Sequence, residues 1–550
     1  MLGKIIFLAA VFLVVGCQSS FNNDVLPAGK AVIEAAKPVQ SVSDIPVPRD
    51  RTIDESNGYN DIFLDSLDVE RFIVKKKLND TVAMAMRAFY NLRNDEYAWF
   101  SSAGLIEQSV SFRSLYSSEN DADEFNKSLE ARLDGLRTGS AASVRAKDPA
   151  IIETELQITE RFIQYAKKNY TDMGIALTAL GTYIPAKRRG ITDFAGFVLA
   201  SNSINDHYAA LNESYRLLKI PLQQYSAIER SGGWPMIPAT RKEYRVGIGD
   251  PAVALLKRRL QMTGELAGGD TSRLFDTGLE NAVKTYQAAH GFDTSGVVTK
   301  ALLKDMNIPV LARMEQLIVN MQRMRWMPAH PDGLLIIVNI PEFEVYVDSN
   351  KSILFQMDAV VGAEGHNTTM FSGNVSQVVF SPYWNIPPSI VRKEVVPGMR
   401  RERHYLGKRH MEITGREGGL PVVRQRPGAD NALGKVKFLF PNDFNIYMHD
   451  TPEKGFFSKS ERDLSHGCIR LSNALEMAYF LLRNYPAWPK GKIDSAMNSE
   501  HQQFVKLTST VPVIITYYTA WVDNKGVLRF AGDIYGRDRQ MAEKMFMDPQ

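Results

Sequence analysis

Apolar positions recur at two spacings along the chain, and the switch between them divides it. In DTVAMAMRAFYNLRN, Val82, Met86, Ala88 or Phe89, and Leu92 share one helical face, with Thr81 or Asp80 placed to cap the start. IIETELQITERFIQYAKKNY and HYAALNESYRLLKI carry the same spacing. Residues 59–240 are therefore expected to form a helical scaffold domain, broken near its end by Gly232-Gly233-Trp234-Pro235. Residues 245–308 predict three more helices, in AVALLKRRLQMTGEL, ENAVKTYQAAHGF and TKALLKDMNI. Their core candidates are Val253, Leu256, Leu260, Ala282, Val283, Tyr286 and Leu302. Beyond them the period changes. LLIIVNIPEFEVYVD, SILFQMDAVVG, VSQVVFSPYWNIP, KVKFLF, FNIYMHD and VPVIITYYTAWVD are β-branched, aromatic and strand-like. NALEMAYFLLRNY is one helical interruption. The expected fold class is α+β and multidomain: a helical scaffold, a three-helix unit, and a mostly β domain over 332–520 with a C-terminal extension over 521–550. Residues 397–432 are basic, Gly-rich and weakly periodic, which suits a lid-like insertion or a solvated loop.

Composition narrows the function. Of 550 residues, 44% are hydrophobic and 23% charged, ordinary values for several globular domains. A net charge of +3 is too balanced to point to nucleic acid. The first residues say more. Lys4 precedes an apolar run from Ile5 to Val15, shorter than the roughly 20 residues a spanning helix needs. The run ends in Leu13-Val14-Val15-Gly16-Cys17, which resembles the lipobox of bacterial lipoproteins. That resemblance implies a signal peptide over 1–16, cleavage before Cys17 and lipidation of its thiol. The plainer reading is a signal peptide beside an incidental cysteine. Residues 17–58 are polar and aperiodic, as in a flexible tether. Gln18 and Ser19 follow Cys17 where an inner-membrane retention aspartate would stand, so a periplasmic position on the inner face of the outer membrane is expected.

Cys17 and Cys468 are the only two cysteines. With Cys17 lipidated, Cys468 is a lone thiol in an exported protein. Its neighbourhood is YMHDTPEKGFFSKSERDLSHGCIRLSN, residues 447–473, containing His449, Ser465, His466, Gly467, Cys468 and Arg470. A thiolate is a strong nucleophile, but a free thiol with pKa near about 8.5 is mostly protonated at neutral pH and needs a base. Histidine supplies one. A zinc site is not expected, since there is no second free cysteine and no HExxH, and no other cofactor is implied.

The spacing of His449 from Ser465-His466-Gly467-Cys468-Ile469-Arg470 resembles the signature of the YkuD-type L,D-transpeptidases. The order Leu260-Gln261, Phe275-Asp276, Ala282-Val283, Tyr286-Gln287, Gly291 and Gly296 resembles a peptidoglycan-binding domain. Together with GGWP and SPYWNIPPSI, the architecture resembles the large Gram-negative subgroup of that family. The resemblance implies Cys468 as nucleophile and His449 as proton donor and acceptor. It gives Ser465, His466, Gly467 and Arg470 supporting or substrate-binding roles, with the Cys468 N–H in an oxyanion hole. It implies 3→3 cross-linking of peptidoglycan stem peptides through a thioester, with release of D-alanine. Expected partners are those peptides, the membrane through Cys17, and cell-wall synthesis proteins. Three alternatives stand beside this: an L,D-carboxypeptidase, an enzyme attaching or detaching wall-bound lipoproteins, and a non-catalytic wall-binding scaffold.

Overall fold

A computed structural model describes residues 47–117, 144–170, 176–200, 212–326, 333–350, 352–442 and 444–547, together with Leu129, Arg132 and Leu133. The expected signal peptide, Cys17 and most of the 17–58 tether lie outside the described residues.

The scaffold packs helices Asp68–Lys76, Asp80–Asn91, Glu107–Ser117, Pro149–Tyr170, Ile191–Leu199 and Glu213–Arg230. The stripe of Asp80–Asn91 behaves as its spacing requires: Val82, Met86 and Phe89 are buried. Its cap is Asn79, not Thr81 or Asp80. The Asn79 side chain accepts the Val82 N–H from an extended backbone, whereas the other two already lie inside the helix. Part of HYAALNESYRLLKI falls outside the described residues; the described helix begins at Glu213 behind an Asn212 cap. Two distant segments complete this core. One is the helix Val310–Met324; the other is the chain's end, a hairpin of Ala520–Val522 with Leu528–Phe530 and the helix Arg537–Met545. Leu317, Met324, Phe530 and Met545 share one buried cluster with Phe89, Trp99 and Phe162.

The three-helix unit follows its sequence signals closely. Asp250, Asp276 and Thr299 cap Pro251–Thr263, Thr277–Ala289 and Lys300–Met306 through their side chains. Pro251 opens the first helix and left-handed Gly264 ends it. Its seven core candidates are all buried, none above 3% exposed.

The β domain is built on strands β1 (Leu334–Asn339), β2 (Glu344–Ser349), β3 (Ser352–Gly362) and β4 (Phe371–Phe380). After an inserted unit it continues with β5 (Val436–Leu439), β6 (Met448–His449), β7 (Asp463–Ser465), β8 (Ile469–Leu471) and β9 (Gln503–Thr516). The order is β7-β3-β8-β6-β5-β4-β9-β1-β2, and β2 also pairs with β3, so the sheet closes on itself. Closure leaves an apolar interior filled by Val338, Val361, Phe438, Met448, Ile469, Leu471 and Val513, with helix Ala474–Leu481 packed against it.

The inserted unit is folded, with a small core of its own: Ile386, Ile390, Val391, Val395 and Val423. A hairpin of Met411–Glu417 with Leu420–Gln425 pairs with Trp384–Asn385. Periodicity is weak here because the elements are short and one face of the hairpin stays exposed. Among the described residues, no helix is long and apolar enough to cross a membrane.

Candidate active site

Strand alternation decides what faces what around Cys468. β6 pairs antiparallel with β5 (Lys437 opposite His449, Phe438 opposite Met448) and parallel with β8 (Met448 beside Ile469, His449 beside Arg470). Phe438, Met448 and Ile469 point inward and are fully buried. Successive residues of a strand face opposite ways, so Lys437, His449 and Arg470 share the outer face. Tyr447 lies two residues before His449, and the two rings stand 5.7 Å apart.

Cys468 ends a tight loop whose shape depends on its neighbours. Ser465 is buried; its hydroxyl donates to the Cys468 carbonyl (2.6 Å) and accepts the Gly467 N–H (3.1 Å). Gly467 has φ +108, a conformation a side chain would strain. Its carbonyl accepts the Thr368 hydroxyl at 2.9 Å, while the Gly362 N–H donates to that same hydroxyl, also at 2.9 Å. Tyr535 closes the arrangement from the far end of the chain, its phenol donating to the Gly362 carbonyl at 2.5 Å. The Cys468 N–H has no hydrogen-bond partner among the described residues, as an oxyanion-stabilising amide requires.

The thiol is half-buried and donates to the Asn445 carbonyl at 3.7 Å. Burial pushes its pKa up. Hydrogen bonds from the Tyr447 amide and phenol, and the charges of Arg470 and Lys437, oppose that rise without cancelling it. The thiol is therefore protonated at neutral pH. His449 is fully enclosed. Burial, reinforced by the Arg470 charge, pushes its pKa down to about 4, against the pull of the Asp450 and Leu433 carbonyls. It is thus neutral at pH 7 and able to take up a proton. Its Nδ1 lies against the Asp450 carbonyl, which places the proton there and leaves Nε2 as the basic nitrogen. No hydrogen bond joins the thiol to the imidazole in this structure.

The other residues of the motif separate by role. Arg470 pairs with Glu453 at 2.9 Å and covers Phe456, so its charge is committed to the segment linking His449 to Ser465. His466 is exposed. Its Nε2 lies 3.3 Å from Glu394 of the inserted unit, and its ring 5.1 Å from that of His366. Sequence reasoning missed Tyr447, Lys437, Gly362, Thr368 and Tyr535. Only Tyr447 left a local signal, two places from His449 in a strand; the others reach the site through pairings remote in sequence.

Three family models match the chain. Residues 334–514 match the L,D-transpeptidase catalytic domain, YkuD; residues 249–306 match a "Putative peptidoglycan binding domain"; residues 84–222 match a scaffold domain. A "Putative L,D-transpeptidase" of Haemophilus influenzae is 30% identical over 243 residues, 41% of this chain and 49% of that protein. The chain thus spans about half the length of the curated relative it matches. An L,D-transpeptidase from Mycobacterium smegmatis is 14% identical, over 33% of this chain and 58% of that one, with a TM-score of 0.19. A solved L,D-transpeptidase fragment from Xylanimonas cellulosilytica is 13% identical, over 51% of this chain and 100% of that one, with a TM-score of 0.17. Superpositions at such scores add nothing to the fold described above. Residues 334–514 are thus similar to YkuD-type L,D-transpeptidase catalytic domains, in a chain whose other matched segments are similar to a scaffold domain and a peptidoglycan-binding domain.

Proposed function

We propose that this protein joins peptidoglycan stem peptides by 3→3 cross-links, with Cys468 as nucleophile. One observation carries the reading. Within a domain matched to L,D-transpeptidases, a half-buried thiol is presented on a braced loop with its own unpaired N–H, and the strand next to it carries a buried neutral imidazole. The thiol sulfur attacks the carbonyl of the third residue of a tetrapeptide stem, and the thiol proton passes to His449. The bond to D-alanine breaks, and His449 returns that proton to the leaving amine. A side-chain amine of a second stem then attacks the thioester. Its proton goes to His449 and on to the departing thiolate, so atoms and charge balance. A thioester preserves the energy of the broken peptide bond where no ATP is at hand. The His449 imidazole must come within reach of the sulfur when substrate enters; such bonds are often long before substrate binds. Ser465 and Gly467 shape the loop, Arg470 braces it, and His466 lines its rim.

Anchorage through lipidated Cys17, on the periplasmic face of the outer membrane, is part of the same proposal and rests on the pattern of residues 1–19. Cys17→Ala should then leave the protein in the soluble periplasmic fraction.

The test is mass spectrometry of full-length protein with disaccharide tetrapeptide, beside Cys468→Ala. D-alanine release with a dimer, both lost in the variant, is the expected result. D-alanine release without dimer would indicate water or another acceptor. Turnover that survives Cys468→Ala would overturn the assignment of the nucleophile.

A further inference from the structure

The charges of Arg470 and Lys437 both act on the Cys468 thiol, and the two differ in one respect. Arg470 is paired with Glu453. Lys437 has neither a carboxylate nor a hydrogen-bond acceptor among the described residues. It is held on β5 directly across from His449, with Nζ 5.6 Å from the centroid of the Tyr447 ring whose phenol faces the sulfur. It is only partly exposed, and burial lowers its pKa while the Cys468 thiolate would raise it. A partly buried ammonium with an aromatic ring beside it but neither an anion nor a hydrogen-bond acceptor is unfavourable unless an anion completes it. The thiolate does so only fleetingly. The thiol is protonated at rest, and once acylated the sulfur carries no charge.

The substrate offers a lasting anion. In a peptide that loses a single terminal residue, the terminal carboxylate lies on the carbon next to the leaving nitrogen. Standard bond lengths put it within about 4 Å of the attacked carbonyl carbon. A longer leaving group carries a neutral amide at that point. We propose that Lys437 binds the terminal carboxylate of the donor peptide and so selects donors whose leaving group is one free amino acid. This rests on the transpeptidation reading and names a specificity residue for it. The ammonium suits the role: one compact charge on a flexible stem, held at the rim by the Tyr447 ring. A site that desolvates a charge for one partner rejects the analogue lacking it.

The experiment uses two donors, disaccharide tetrapeptide with a free terminal carboxylate and the same molecule as its terminal carboxamide. Release of the last residue is followed by mass spectrometry with full-length wild type, Lys437→Met and Lys437→Arg. Wild type should favour the carboxylate at least tenfold in kcat/KM. Lys437→Met should lose at least tenfold on the carboxylate, mainly through KM, and stay within threefold on the amide. Lys437→Arg should recover part of the preference. Should methionine prevent folding, Lys437→Gln replaces it with the same expectations. Equal use of both donors by wild type would overturn the proposal. So would an equal slowing of both by the variant, which would place Lys437 on the thiolate alone. Release from neither donor by wild type would instead sink the transpeptidation reading itself.

Discussion

At the scale of single residues, the site is two titrations pushed in opposite directions by one cause. Burial disfavours charge, raising the Cys468 thiol and depressing His449. The resting pair is therefore neutral thiol and neutral imidazole, and the ion pair forms only as a proton moves. The alkylation rate of Cys468 by iodoacetamide should consequently rise with pH to a midpoint above the roughly 8.5 of a free thiol. The Tyr447 phenol opposes that shift. A hydrogen bond to a charged group contributes about 1.5–3 kcal/mol, so Tyr447→Phe should raise the midpoint by about one unit or more and slow alkylation at pH 8 roughly tenfold. An unchanged midpoint would remove Tyr447 from any part in stabilising the thiolate.

Elements position these residues by close approach. Gly362, at the end of β3, lies against the loop that carries Cys468. A Cβ there would collide with the His366 carbonyl and meet the Thr368 N–H nitrogen at 2.8 Å and the Gly467 Cα at 3.0 Å. Overpacking of this kind costs about 1–3 kcal/mol or more. Gly362→Ala should lower the melting midpoint by at least about 2 °C and suppress Cys468 alkylation, since loop and strand cannot both keep their places. Retained stability and reactivity would show that the loop gives way freely. The inserted unit makes a related point. Its basic, glycine-rich sequence allows either a lid or a solvated loop, yet the chain builds a hairpin and a small core there, and it meets the motif in the pair of Glu394 with His466.

At the scale of the whole molecule, buried ionic groups bind the units together. Arg323 sits 4% exposed between Glu107 of the scaffold and Asp538 of the C-terminal helix. Removing one partner of a buried pair costs about 3–5 kcal/mol. Arg323→Met should therefore lower the urea midpoint sharply, and the doubly neutral Glu107→Gln, Asp538→Asn background should recover part of the loss. The three-helix unit is held by a second set: His290 lies 2.8 Å from Asp305, which also pairs with Arg313 at 2.7 Å, and both His290 and Arg313 cover Phe530. Burial lowers the His290 pKa to about 4, below the unfolded value near about 6.5. The unfolded chain binds the proton first, so this contribution is complete above about pH 6.5 and is lost as pH falls through 4. The stability gap between wild type and His290→Gln, measured by urea unfolding, should narrow between pH 7 and pH 4.5. Glu342 has the opposite sign, its carboxyl raised to about 7 by burial, so its share is lost as pH rises through 7.

The sequence alone determined whatever depends on neighbours in the chain. The scaffold and three-helix stripes, the strand-rich half and the Ser465–Arg470 motif are all local patterns, read by turns and strands of a few residues. Tertiary structure decided what depends on register and closure. The helix Val310–Met324 and the chain's end join the scaffold because their apolar faces can be buried only there. Tyr535 reaches Gly362 across 173 positions, and Lys437 comes level with His449 only because β5 and β6 pair in one register and not the next. A slip of one residue would turn every side chain of that strand to the other face. No local pattern records that choice; the closed sheet, by burying Phe438, Met448 and Ile469 together, makes it.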